Sequence, residues 1–354
     1  MKRILSVLIC ITILLGTAAG CAAKREEQAE TRIFTDSIGR EVTVPVKIGS
    51  IAPSGSYAQI MLLTLCPELL TGLSGELTDV QKPYFDEKYW DLPVFGRLYG
   101  STGTINLEAL VSAAPDVIID MGEVKPGIGD DLDTVQEQTG IPVVFIEATL
   151  GSMADAYTSL GELLGVSDAA EERAEYIREV LDFAADVRGK IPEEERPNVL
   201  FSQGQNGNEV NGRGVVHAEI LDVVGVINVA DMNSTISSGG DEVSLEQILL
   251  WNPEIVILAP DSNYATISSD PAWAQVAAVK NGEVYEVPIG PYNWLNRPPS
   301  VQRVLGILWL GNLIYPEHYD FDIVEKTQEF YKLFFAYEIT ETEVAELLKN
   351  STFN

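Results

Sequence analysis

Two windows of sixteen residues, INLEALVSAAPDVIID at 105–120 and VSLEQILLWNPEIVIL at 243–258, align without a gap. Leu107, Glu108 and Pro115 coincide with Leu245, Glu246 and Pro253, Ile119 coincides with Ile257, and Asp116 stands opposite Glu254. Each window reads as a short amphipathic helix, a proline-bearing turn and an all-apolar run of the kind that fills a buried parallel strand. Two copies of such a unit, far apart in one chain, point to two similar α/β halves.

Between the copies lies SDAAEERAEYIREVLDFAADVRGK, residues 167–190. Ser167 is placed to cap a helix, and Asp168, Glu171 and Glu172 put negative charge in its first turn, where the amide dipoles favour it. Ala170, Ala174, Ile177, Leu181, Ala184 and Val187 recur at three- and four-residue steps as one narrow apolar stripe. Arg188 and Lys190 suit the last turn, and Pro192 limits continuation. The expected helix is about six turns, roughly 35 Å at ~1.5 Å per residue. The fold class expected is α/β: two Rossmann-like lobes with mainly parallel sheets, at 32–166 and 191–354, joined by one long rigid helix at 167–190, with the ligand cleft between them.

The first thirty residues are of another kind. Lys2 and Arg3 precede an apolar run, 4–15, that is short for a bilayer span and normal for the core of a secretory signal. Ala18-Ala19-Gly20-Cys21 follows, small residues running into a cysteine, which resembles the lipobox of bacterial lipoproteins. By that resemblance residues 1–20 are a leader, Cys21 becomes the lipid-modified N-terminus, and 21–31 form a tether without core-forming residues. Several acyl chains at ~0.8 kcal/mol per buried CH₂ hold such an anchor firmly. The chain carries 53 acidic against 23 basic residues, a formal charge of −30, which excludes ordinary nucleic-acid binding. Of three cysteines, Cys10 leaves with the leader, Cys21 is lipidated, and Cys66 remains as a small core residue.

In open parallel sheets the loops beyond the strands' carboxyl ends make the ligand crevice. Here those loops are 54–57, 121–125, 204–214, 237–240 and 290–297, and the long segment through Arg97 and Tyr99 reaches the same edge. Four of the few basic residues, Arg97, Lys125, Arg213 and Arg297, fall there and would collect an anionic ligand despite the acidic whole. Ser56 offers a hydroxyl, and Tyr57, Tyr99, Tyr292 and Trp294 offer flat faces for a bulky, partly apolar ligand. With only His217 and His318 in the mature chain, a bare zinc or manganese site built on several imidazoles is not expected, and no resident cofactor is. No G-x-S-x-G elbow, HExxH or P-loop occurs, so an enzyme is not expected; the glycines of 204–214 lack dinucleotide-loop spacing.

The lipobox, TDSIGREVTVP (35–45), INLEALVSAAPDVII (105–119), GRGVVHAEILDVVGVINVA (212–230), VSLEQILLWNPEIVI (243–257) and YNWLNRPPS (292–300) together resemble the class III solute-binding proteins of ABC importers. That family takes up ferric siderophores, haem and vitamin B12. The resemblance implies capture of a metal chelate, a ferric siderophore first, and delivery to a permease dimer driven by its ATPase. It leaves cobalamin or another corrinoid and haem as alternatives, and a surface receptor lipoprotein without transport as an alternative of another class. Trp294 falls where vitamin B12-binding members carry a cleft tryptophan in an Asp-Trp-Phe-Glu-Arg segment; here Asn293 and Asn296 replace its acids. His217, together with Tyr292, is a weak candidate for completing the coordination of chelated iron, as in some siderophore-binding relatives. Docking carboxylates on each lobe are implied at Asp130 and Asp131 and at Asp261 or Asp270. The membrane is reached through the lipid anchor alone, outside the cytoplasm.

Overall fold

The computed structural model describes residues 30–99, 104–232 and 240–352. The leader, Cys21 and most of the tether lie outside them. The first half opens with an antiparallel hairpin, β1 (Thr31–Thr35) and β2 (Glu41–Pro45). It continues through β3 (Ile51–Pro53), α1 (Ser56–Leu65), α2 (Leu107–Ala113), β4 (Val117–Gly122), α3 (Ile128–Thr139), β5 (Val143–Glu147) and α4 (Met153–Leu164). β3, β4 and β5 form a parallel sheet. The hairpin docks on it through Ser37 N to Phe145 O at 3.0 Å and through Arg40, whose guanidinium reaches Asp36 at 2.9 Å and Asp133 at 2.7 Å.

The connector, α5, spans Ser167–Lys190. Its N-cap is Val166, so Ser167 begins the first turn and makes no capping bond; the helix starts on acidic-turn electrostatics and on packing. Tyr176 and Val180 are buried in its stripe, whereas Leu181 is only half-buried, because the helix meets neighbours on a face wider than one row of alanines. Gly161 of α4 allows close contact with it: a Cβ there would stand 2.5 Å from that of Ala170.

The second half holds β6 (Asn198–Gln203), β7 (Glu209–Val210), α6 (Glu219–Val224), β8 (Ile227–Asn228), β9 (Asp241–Glu242), α7 (Leu245–Trp251) and β10 (Ile255–Leu258). Then come α8 (Tyr264–Ile267), α9 (Ala277–Asn281), β11 (Val284–Glu286), α10 (Gln302–Ile314), α11 (Ile323–Phe335) and α12 (Glu341–Leu347). β11, β10, β6 and β8 pair in parallel, and β7 and β9 extend the sheet antiparallel beyond the end of β6. Thr340 and Glu343 form a capping box at the start of α12. The apolar residues 69–73 make only isolated bridges at Leu70 and Leu73, since the neighbouring loop supplies no continuous ladder.

The repeated windows match down to their caps. Asn106 caps α2 through Ala109 N, and Ser244 caps α7 through Gln247 N. Both helices end on a left-handed residue that is not glycine, Ala114 (φ 48°) and Asn252 (φ 44°), directly before the paired prolines. Asp116 then binds the amides of Gly49 and Ser50 at 2.7 and 3.0 Å, and Glu254 binds the amide of Asn198 at 2.7 Å. Each acid thus fixes the start of the strand beside its own, β3 in one half and β6 in the other.

The two halves are not held by the connector alone. One continuous apolar cluster takes in Ile51 and Ile146 from the first half, Ala174 and Ile177 from α5, and Phe201, Leu305 and Phe334 from the second. α11 crosses back to the first half, with Phe334 against Tyr157 at 5.9 Å and Tyr176 at 5.8 Å between centroids. Tyr84 and Phe85 meet Tyr331 and Phe335 from the other side, at 5.5 and 5.8 Å. Arg173 of the connector closes the carboxyl end of α1, donating to Thr64 O at 2.8 Å. The connector is therefore the edge of a shared core, with its outer face in solvent.

Candidate functional site

The carboxyl ends of β3 and β4 face a cleft of about 690 Å³ between the halves. The first half supplies Ser54, Ser56 and Tyr57 at the head of α1, Arg97 and Tyr99 from the long loop, and Asp120, Glu123 and Lys125 from the end of β4. The second half supplies Val216, His217, Tyr292, Arg297 and Pro298. Such a volume suits a ligand of drug-like size and exceeds what a small tetrahedral oxyanion needs.

The cleft brings basic side chains together with the acids Asp120 and Glu123. None of the ion pairs among the described residues includes Arg97, Lys125 or Arg297. The Lys125 ammonium lies 4.3 Å over the ring of Tyr99, and the Tyr99 hydroxyl donates to Asp131 at 3.1 Å. Arg297 is half-buried and donates to the Gln203 side-chain oxygen at 2.7 Å. The hydroxyls of Tyr57 and Tyr292 are buried and have no hydrogen-bond partner among the described residues. Burial pushes both phenols well above their ordinary range, so each remains a neutral donor. His217 is buried, with Nδ1 3.4 Å from Asn296 O.

Asp120 is the acid on the other side of the ledger. It is 4% exposed, its carboxylate accepts from the Ser54 hydroxyl, and burial raises its pKa to about 6. The Ser54 hydrogen bond and the Lys125 charge act against that rise. Sequence reading named the loop after it and passed over Asp120 itself. The signal was in the repeat: an acid closes the first apolar run where Leu258 closes the second.

Two of the expected ligand residues stand elsewhere. Arg213 is exposed and donates to the Asn228 carbonyl at 2.7 Å, tying the glycine-rich loop to β8. Trp294 is fully buried, and its backbone carbonyl presses on α10 so closely that a Cβ at Gly306 would stand 1.8 Å away. It forms part of the packed wall behind the cleft. Of the loop at 237–240, only Gly240 falls within the described residues. Asp130 and Asp131 sit exposed in the first turn of α3. Asp261 is exposed and receives Gly204 N at 3.3 Å, while half-buried Asp270 receives Ala272 N at 2.7 Å.

Residues 80–289 match the model of a family described as periplasmic binding protein. The chain belongs to that family. An ABC transporter solute-binding protein from Sulfurospirillum deleyianum has 29% identical residues and a TM-score of 0.82, over 90% of this chain and 99% of that one. The molybdate-binding protein MolA of Haemophilus influenzae is 24% identical over 333 residues, 86% of this chain and 91% of its own. The Fe(3+)-citrate-binding protein YfmC of Bacillus subtilis is 25% identical over 195 residues, 53% of this chain and 59% of its own. As a periplasmic binding protein of the class III, ABC-importer kind, this chain is an extracytoplasmic solute-binding component that works with a permease and an ATPase, and it is not an enzyme.

Proposed function

We propose that this binding protein captures an anionic metal chelate in the cleft between its halves and hands it to the permease. The observation that carries this reading is the cleft's charge: Arg97, Lys125 and Arg297, drawn from both halves of a chain of net charge −30, line it, and none of the three is held in a salt bridge among the described residues. Each would contribute about 1.5–3 kcal/mol of charge-assisted hydrogen bonding to a shielded anion. Tyr57 and Tyr292 add aromatic wall to the same cleft, and Ser56 a hydroxyl. A ferric chelate of carboxylate or siderophore type fits the volume and the donors. Corrinoids and haem remain within the same fold, and His217 with Tyr292 supplies the groups that would complete the coordination of chelated iron. The iron-citrate relative supports the first choice; the molybdate relative supports an anionic ligand in general.

Around the cleft we assign the further parts of a transport receptor. Cys21 would carry the lipid anchor, after removal of 1–20, with 21–31 as tether between membrane and the lobe at 32–166. Asp130 and Asp131 on one lobe, and Asp261 or Asp270 on the other, would meet arginines of the permease. The exposure of Asp130, Asp131 and Asp261 supports that use.

Isothermal titration of the protein with ferric citrate, a panel of ferric siderophores, cobalamin, haem and molybdate tests the ligand class. Calorimetry suits it better than tryptophan fluorescence, because no tryptophan lines the cleft among the described residues. Saturable binding of a ferric chelate, weakened by salt, is expected. Binding of molybdate alone would replace the chelate by an oxyanion, and no binding across the panel would remove the assignment.

A further inference from the structure

Arg297 is held in an unusual way for so acidic a protein. Its guanidinium rests on an amide, not a carboxylate: Gln203 Oε1 accepts from Arg297 Nη2 at 2.7 Å and from Asn296 Nδ2 at 3.1 Å. Gln203 closes β6, is 1% exposed, and is fixed from below by the sheet. Its Nε2 has no partner among the described residues, nor has Oδ1 of Asn296. Glu209 and Asp261, which lie against Gly204 next to it, are in none of the ion pairs among the described residues, and neither is Arg297.

A carboxylate at position 203 would serve structure better. It would accept the same two hydrogen bonds, pair with the arginine, and leave no buried N–H without a partner. An amide holds the guanidinium just as firmly in direction and leaves its charge whole. Since an unpaired buried amide costs free energy, the arrangement gives up stability for a cation that stays positive toward the cleft.

We propose that Gln203 is a positioning residue that sets the charge selectivity of the cleft: it aims Arg297 at the ligand without neutralising it, and so selects a ligand that brings carboxylate or other anionic oxygens to the second half of the cleft. This rests on the reading of the cleft as the ligand site. A neutral chelate would gain little from the arrangement, and a cationic one would be repelled.

The test is titration of the full chain with ferric citrate, at low and moderate salt, for wild type, Gln203→Glu, Gln203→Met, Arg297→Gln and the double variant Gln203→Glu/Arg297→Gln. Gln203→Glu is expected to lower affinity at least tenfold and to flatten its salt dependence, with a melting temperature equal to or above wild type. In the Arg297→Gln background the same change is expected to cost less than twofold, because the charge it cancels is gone. Gln203→Met, which removes the clamp without adding charge, is expected to cost about threefold and decides the matter if the glutamate variant does not fold. Equal losses in both backgrounds, or an affinity within twofold of wild type for Gln203→Glu, overturn the proposal while leaving the cleft as the ligand site. A wild-type chain that binds neither ferric citrate nor any other anion of the panel overturns both.

Discussion

Asp120 shows how much one side chain can decide. Its carboxyl is buried beside Ser54, with pKa raised to about 6, so the charged form is disfavoured in the folded chain. The sign follows: below pH ~4 the group is neutral folded or unfolded and costs nothing, and the penalty grows as pH rises through 6. At ~1.4 kcal/mol per pKa unit, Asp120→Asn should stabilise the protein by about 3 kcal/mol at pH 7.5 and by little at pH 4, as read by chemical denaturation. In the same window wild-type affinity for an anionic chelate should fall as pH rises from 5 to 7, and the asparagine variant should lose that dependence. Arg97→Ala should weaken ferric-chelate binding at least tenfold in titration, whereas Arg213→Ala should leave it within twofold, because Arg213 spends its guanidinium on the Asn228 carbonyl. Trp294→Ala should cost about 3–5 kcal/mol of stability, the usual cost of emptying a buried aromatic site, and would speak of folding before it spoke of ligand.

At the scale of elements, most of the chain could be read in advance, and the reason is local. Hydrophobic period, caps and prolines fix α2, β4, α7 and β10 without help from distant residues, and the connector's bounds follow from its acidic start and Pro192. The failures are tertiary. Nothing in residues 69–73 tells that they bridge singly, and nothing near Trp294 tells that Gly306 lets a helix cover it. Asking which loops follow strands leads to Arg97, Tyr99, Tyr292 and Arg297, which line one cleft; nothing local marks Gln203, which ends a strand and looks like its last polar residue. The repeat also carries a small flaw that can be measured. Ala114 occupies a left-handed position where glycine is the favoured residue, so Ala114→Gly should stabilise the fold by about 0.5–1 kcal/mol in urea unfolding, with no effect on binding.

For the whole molecule, the shared core limits what ligand capture can do. α11 and the connector tie both halves along one side, so closure has to come from small adjustments at the rims of the cleft rather than from a wide swing. Small-angle scattering with and without ferric citrate should show a change in radius of gyration below about 1 Å; a change of several ångströms would mean that the aromatic contacts of α11 part on binding. Those contacts have another consequence. Tyr157, Tyr176 and Phe334 belong at once to both sides of the chain, so although each side also has a cluster of its own, either one exposes part of the shared apolar interior if the other melts. A heating scan ought therefore to trace a single peak, and a receptor that must survive outside the cell presents proteases with no half-unfolded form to cut.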